Sequence, residues 1–151
     1  MITVPKLTLE DVKVLLAAAE SEARAIGVDV DIAVVDDGGQ LLGFYRMDKA
    51  KITGIQIAID KAFTAAGARK ATHEYAAMAS PGASAFGIHV SNGGRFMIFG
   101  GGVPIFVAGQ IVGGVGISSG SSEQDRAVAE AAVDALLCQL RKSVTAQPPT
   151  P

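Results

Sequence analysis

The side chains able to do chemistry are few in this chain. His73 and His89 are its only histidines, and two isolated imidazoles fall short of the three or four ligands a structural or catalytic zinc site needs, so no metal site is expected. His89 lies between Ile88 and Val90 in a glycine-containing stretch. It is the better candidate for an axial ligand or a general acid/base, because imidazole changes charge near neutral pH. A second group of residues suits an anion. Gly101 and Gly102, within Gly100-Gly101-Gly102, let a ligand approach the backbone closely. The start of the last predicted helix, with Gln124 and Asp125, offers free N–H groups and a positive dipole end. Arg46, Arg95 and Arg126 can supply charge. A carboxylate would suit such a place, with Asp125 or His89 moving a proton. The plainer alternative stays open: the glycines turn the chain, Gln124 and Asp125 complete a helix cap, and the arginines face water.

Two motifs lead nowhere. Gly116-Ile117-Ser118-Ser119-Gly120 has the G-x-S-x-G form of a nucleophile elbow, but that architecture places its histidine after the serine, and no histidine follows His89. Gly114-Val115-Gly116 starts a dinucleotide fingerprint whose third glycine would fall on Ser119. Asp36 and Asp37, beside Gly38 and Gly39, read as turn formers rather than paired catalytic carboxylates. Lys61 shares a predicted helix with Asp60 and reads as part of its solvated face. The single cysteine, Cys138, falls on the apolar side of the last predicted helix and reads as a small core residue.

The elements that must hold these residues follow from periodicity and turn chemistry. Thr8 and Asp11 form a capping box, and Leu9, Val12, Leu15, Leu16, Ala19, Ala23 and Ile26 recur at helical spacing before Gly27. Val30–Val35 and Leu41–Arg46 form a hairpin. Thr53–Ala66 is a second helix with Ile55, Ile59, Ala62, Phe63 and Ala66 inward, and Gly67 ends it. Thr72 caps a short helix to Met78, stopped by Ser80-Pro81-Gly82. Residues 83–95 form a long ordered loop. A second hairpin, Val103–Ile117, turns at Gly109-Gln110, and a helix runs from Ser122 to about Arg141 with Val128, Ala132 and Leu136 inward. Adjacent hairpins make the sheet mainly antiparallel, so the class is α+β. Residues 1–142 are expected to form one domain and 143–151 a flexible tail.

At 151 residues and 49% hydrophobic, the chain can fill one core. A net charge of −2 without a basic run excludes nucleic acid as an expected partner. No apolar run reaches a membrane span, and residues 1–8 do not read as a signal peptide, so a cytoplasmic protein is expected. The mean hydropathy of +0.36 is high for a monomer of this size and suggests apolar surface buried between subunits.

Phe44-Tyr45-Arg46-Met47-Asp48, Lys61-Ala62-Phe63-Thr64-Ala65, Gly101-Gly102-Val103-Pro104-Ile105, Val112-Gly113-Gly114-Val115-Gly116-Ile117-Ser118 and Gln124-Asp125 stand in this order along the chain. Together they resemble the GlcG/HbpS family, related to the C-terminal domain of PduO-type proteins, from about Leu9 to Leu140. The resemblance implies a profilin-like fold with a central antiparallel sheet, and a homo-oligomer built from dimers. Some members bind haem, through a Thr or a His at non-equivalent places; this chain has no His in its first helix, so that ligand is not carried over. Three functions compete. The first is haem binding, with His89 or else His73 as axial ligand and an apolar slot from Phe86, Phe96, Met97 and Phe99. The second is an enzyme acting on a small organic acid, with Arg46 or Arg95 on the carboxylate. The third is a non-catalytic oligomeric module.

Overall fold

The computed structural model describes residues 1–145. Helix α1 (Leu9–Ala25) is followed by strands β1 (Asp31–Asp36) and β2 (Leu41–Arg46), helix α2 (Gly54–Ala68), a 3-10 turn at Thr72–Glu74 and the short helix α3 (Tyr75–Met78). Two more 3-10 turns, Ile88–Val90 and Asn92–Gly94, lead to strands β3 (Gly102–Val107) and β4 (Gln110–Ser118) and helix α4 (Ser122–Thr145). The four strands form one antiparallel sheet in the order β2-β1-β4-β3. This is the α+β class, with a central antiparallel sheet and helices on both faces.

Local chemistry sets the ends of these elements. Thr8 and Asp11 close the capping box of α1: the Asp11 N–H donates to the Thr8 hydroxyl, and the Thr8 N–H donates to the Asp11 carboxylate. In the β1–β2 turn the Asp36 carboxylate accepts from the N–H groups of Gly38 and Gln40, the turn-forming role expected of it. The second hairpin turns one residue earlier than expected. Its two central residues are Ala108 and Gly109, both with positive φ (49° and 76°), between the paired Val107 and Gln110. That is the primed geometry which matches strand twist, and Gly109 is strain-free in it.

The sheet's two faces are built differently. One packs α1 and α4 on an aliphatic layer that includes Leu15, Leu16, Ile32, Val34, Val115, Ile117, Val128 and Leu136. The other meets α2 through much smaller residues. A Cβ on Gly116 would lie 1.9 Å from the Ala58 carbonyl oxygen, and one on Gly114 would lie 2.6 Å from that of Ala62. The α2 backbone therefore rests on β4 with no side chain between, and Ala58, Ala62 and Ala66 form the inner stripe at i, i+4 spacing. Ile55, Ile59 and Phe63 are only partly buried.

Further expectations need correction. Gly67 does not end α2: the helix runs through it to Ala68, and Arg69 closes it in the left-handed region. Lys61 is fully buried, because its position on α2 turns it beneath β3 and β4 rather than to solvent. Cys138 is exposed, since it stands two residues after the buried Leu136 and two residues in a helix point to nearly opposite sides. Thr72 is not a cap: Ala71 holds that place, and the buried Thr72 hydroxyl accepts from the Gly102 N–H at 2.8 Å. Helix α4 continues through residues 143–145, the start of the expected tail. The rest of that tail, 146–151, lies outside the described residues.

Candidate functional site

The region marked by Gly101, Gly102 and the start of α4 encloses a buried ion pair. The Lys61 ammonium donates to Asp125 Oδ2 and to the Ile117 carbonyl, both at 2.8 Å, with the two side chains 1% and 3% exposed. Phe99 covers the ammonium, its ring centre 4.7 Å away. The other Asp125 oxygen accepts from the Gly120 N–H at 2.9 Å. Burial pulls the Lys61 ammonium below its ordinary value and pushes the Asp125 carboxyl above its own, while the attraction between them opposes both. Asp125, expected to move a proton, thus spends its oxygens on Lys61 and Gly120. Gly101 and Gly102 are glycine for steric reasons. A Cβ at Gly101, whose φ is +124°, would lie 2.7 Å from Lys61 Nζ, and one at Gly102 would lie 2.5 Å from the Lys61 carbonyl oxygen.

Gln124 is a cap residue. Its side chain accepts from the Ser121 N–H, and its own N–H donates to the Ser121 hydroxyl, a reciprocal capping box at the head of α4. The three arginines are not gathered. Arg95 pairs with Asp60 at 2.7 Å and stacks over Phe63 at 3.8 Å. Arg126 pairs with Glu130 one turn along α4. Arg46 lines a pocket of about 350 Å³ with Glu20, Arg24, Asp29, Tyr45 and Asp48. His89 is exposed on the Ile88–Val90 turn. His73 is half-buried, and its buried Nδ1 has no hydrogen-bond partner. Among the described residues no three His, Cys, Asp or Glu side chains stand together as a metal site would.

Three of the residues expected to shape an apolar slot stand in different surroundings. Phe96 stands edge-on to Tyr75, with ring centres 4.8 Å apart, and lines one pocket. Phe99 lines another. Phe86 is 61% exposed.

Sequence reasoning missed Lys61, Asp31 and Ser119. Asp31 is fully buried and receives the Ser119 hydroxyl on Oδ2 at 2.7 Å, while Oδ1 has no partner. Burial holds its carboxyl above the usual range, against the opposing effects of the Ser119 hydrogen bond and of Arg46, its cross-strand neighbour. Ser119 has a φ of +94°, unusual for a residue with a side chain. The signal for Asp31 was available: an acidic residue opening an otherwise apolar strand run.

Comparison with known proteins agrees with this fold. A 15.0 kDa protein encoded in the dhaT–dhaS intergenic region of Citrobacter freundii is 44% identical over 128 residues, covering 85% of this chain and 90% of that one. The crystal structure of the Klebsiella pneumoniae protein ORFY superposes with a TM-score of 0.88 at 37% identity, covering 91% of this chain and 94% of that one. The PduOC–haem complex superposes with a TM-score of 0.84 at 35% identity, covering 87% and 95%. The family model described as haem degrading protein HbpS-like matches residues 7–134, and the chain belongs to that family.

Proposed function

We propose that the protein binds haem and that His89 is the axial ligand. The observation that carries the reading is the setting of His89: its exposed imidazole stands on a short turn, with Phe86 61% and Val90 72% exposed in the same segment. Exposed apolar surface of this kind marks a contact site. A porphyrin face is apolar, and haem iron takes an imidazole nitrogen. Family membership and the haem complex of PduOC support the reading.

The residues suit a haem lying against this surface, since donor and apolar contacts sit on one stretch of chain. The pocket of about 350 Å³ does not suit it, because Glu20, Arg24, Asp29, Arg46 and Asp48 give that pocket a charged wall. Bound haem would supply a redox-active iron. The chain's part is to hold it through His89 and to shield one face with Phe86 and Val90. The second face then requires cover, and we assign that cover to a second copy of the chain, in line with the homo-oligomer the family resemblance implies.

Titration of the purified protein with hemin tests this. A shifted Soret band is expected, saturating at a fixed ratio, lost in His89→Ala and retained in His73→Ala. No shift, or a shift unchanged in His89→Ala, overturns the assignment.

A further inference from the structure

A pocket of about 250 Å³ opens where β4 passes into α4, lined by Lys51, Gly54, Ile57, Phe99, Ser119 and Ser122 among others. Two features, one on its wall and one behind it, are unexplained by packing. Ser119 keeps a side chain at φ +94°, where glycine would be free of strain. Its hydroxyl donates to Asp31 Oδ2 at 2.7 Å and accepts from the Lys51 N–H at 3.0 Å. Behind it Asp31 is fully buried, with Oδ1 unpartnered. A buried carboxyl oxygen of this kind is an acceptor that lacks a donor. Backbone strain at a residue that holds such a group points to use rather than to folding. Gly54 belongs to the same arrangement. A Cβ there would lie 2.2 Å from Asp31 Oδ2 and 2.5 Å from Ser119 Oγ, so only glycine leaves the pair uncrowded at the pocket wall.

The pocket is polarised. On its wall the Ser119 hydroxyl oxygen is an acceptor, held in place by the buried Asp31 carboxyl that accepts its hydrogen. Its lining also carries the exposed Lys51, whose ammonium is a donor, Ser122 in the first turn of α4, and Asp125, whose two oxygens are already engaged by Lys61 and Gly120. The neighbouring N–H groups of Gly120, Ser121 and Gln124 are already taken by Asp125, Gln124 and Ser121. Ile57 and Phe99 supply apolar sides.

We propose that this pocket binds a small carboxylic acid that also carries a hydroxyl or amino donor, with its carboxylate toward Lys51 and its donor toward the Ser119–Asp31 pair. The volume limits the ligand to a handful of heavy atoms. The site uses neither His89 nor Phe86, so it stands or falls apart from haem binding.

Isothermal titration calorimetry with lactate, alanine and propionate tests it. Lactate or alanine binds, and which of them binds tells hydroxyl from amine. Propionate, which leaves the inner acceptors unmatched, binds about tenfold more weakly or less. Ser119→Gly suits the positive φ, which offsets part of the cost of leaving Asp31 Oδ2 without its donor; an unchanged circular-dichroism spectrum and a cooperative melt show that it keeps the fold, yet it weakens binding about tenfold. Lys51→Met weakens it similarly. The proposal is overturned if none of the three acids binds at about 10 mM, if propionate binds as tightly as the better of the other two, or if Ser119→Gly keeps full affinity.

Discussion

Lys61→Met should be among the most damaging conservative substitutions in this protein, and its pH dependence should reveal why. Methionine fills much of the lysine's volume, so packing is largely kept. What is lost is the partner of Asp125, a carboxylate 3% exposed whose other contact is the Gly120 N–H. Leaving one member of a buried pair alone costs about 3–5 kcal/mol, which for a chain of this length lowers the melting temperature by roughly 10 °C or more. Without Lys61 the Asp125 carboxyl rises still further above its unfolded value, because the main opposing attraction is gone. A raised carboxyl contributes stability that is full below the unfolded value and lost as pH rises through the folded one. Lys61→Met should therefore lie closest to the parent near pH 4 and furthest from it above neutrality. Asp125→Asn is the mirror case. It strands the ammonium, whose folded value is already lowered by burial and now drops further. The unfolded chain then holds the proton over a range where the folded one does not, so that variant gains stability as pH rises. Urea denaturation of both variants from pH 4 to pH 9 reads these slopes directly. The double variant Lys61→Met/Asp125→Leu should add no pH dependence of its own to that left by Asp31, and be more stable than either single one. Two single variants with slopes of the same sign, or costs below about 1 kcal/mol, would refute the reasoning, since exposed pairs behave that way.

Other consequences follow from the same geometry. Gly116→Ala must push its Cβ against the Ala58 carbonyl and should destabilise by about 1–3 kcal/mol or more. Gly67→Ala, on exposed α2 with nothing within 4 Å of the new Cβ, should stabilise by about 0.5–1 kcal/mol. Melting curves of the two variants should move in opposite directions. Asp31 has a raised carboxyl, so its contribution is full below the unfolded value and lost as pH rises through the folded one. Asp31→Asn removes that loss, so its stability relative to the parent should improve between pH 4 and pH 7. An equal difference at both values would show that Asp31 does not titrate abnormally.

The sequence carried the elements well, because each is marked by local chemistry: Thr8 and Asp11 at one helix start, Asp36 to Gly39 in one turn, Ser121 and Gln124 at the other helix start. Where it misled about Lys61 and Thr72, the cause was a neighbour remote in the chain; Cys138 was misplaced only by the phase of its own helix. Lys61 looks solvated beside Asp60, and only the arrival of Asp125 and Ile117, 64 and 56 residues later, reveals it as buried. Thr72 has the chemistry of a cap, but Gly102 takes its hydroxyl. The arginines were grouped by charge alone. Asp60 holds Arg95 from 35 residues away, which no spacing announces, whereas Glu130 holds Arg126 at the i, i+4 spacing that a helix makes legible.

The misreading of Lys61 and that of Gly101 and Gly102 share one physical origin, the missing side chains of β4. Gly114 and Gly116 let the α2 backbone sit directly on the sheet, closer than any strand bearing side chains on that face would permit. Ala62 makes that contact, so its neighbour Lys61 is carried beneath the edge of the sheet, against the backbone of Gly101 and Gly102. A lysine there cannot reach water. It is tolerable only because the chain returns at the head of α4 with a carboxylate, and because β3 begins with glycines that leave the ammonium room. The glycines, the alanine stripe and the ion pair are therefore one packing solution. Restoring a side chain at Gly116 should loosen the Lys61–Asp125 pair along with α2. That coupling can be read as partial recovery of Lys61 exposure to amine-labelling reagents in Gly116→Ala. Labelling unchanged from the parent would separate the two.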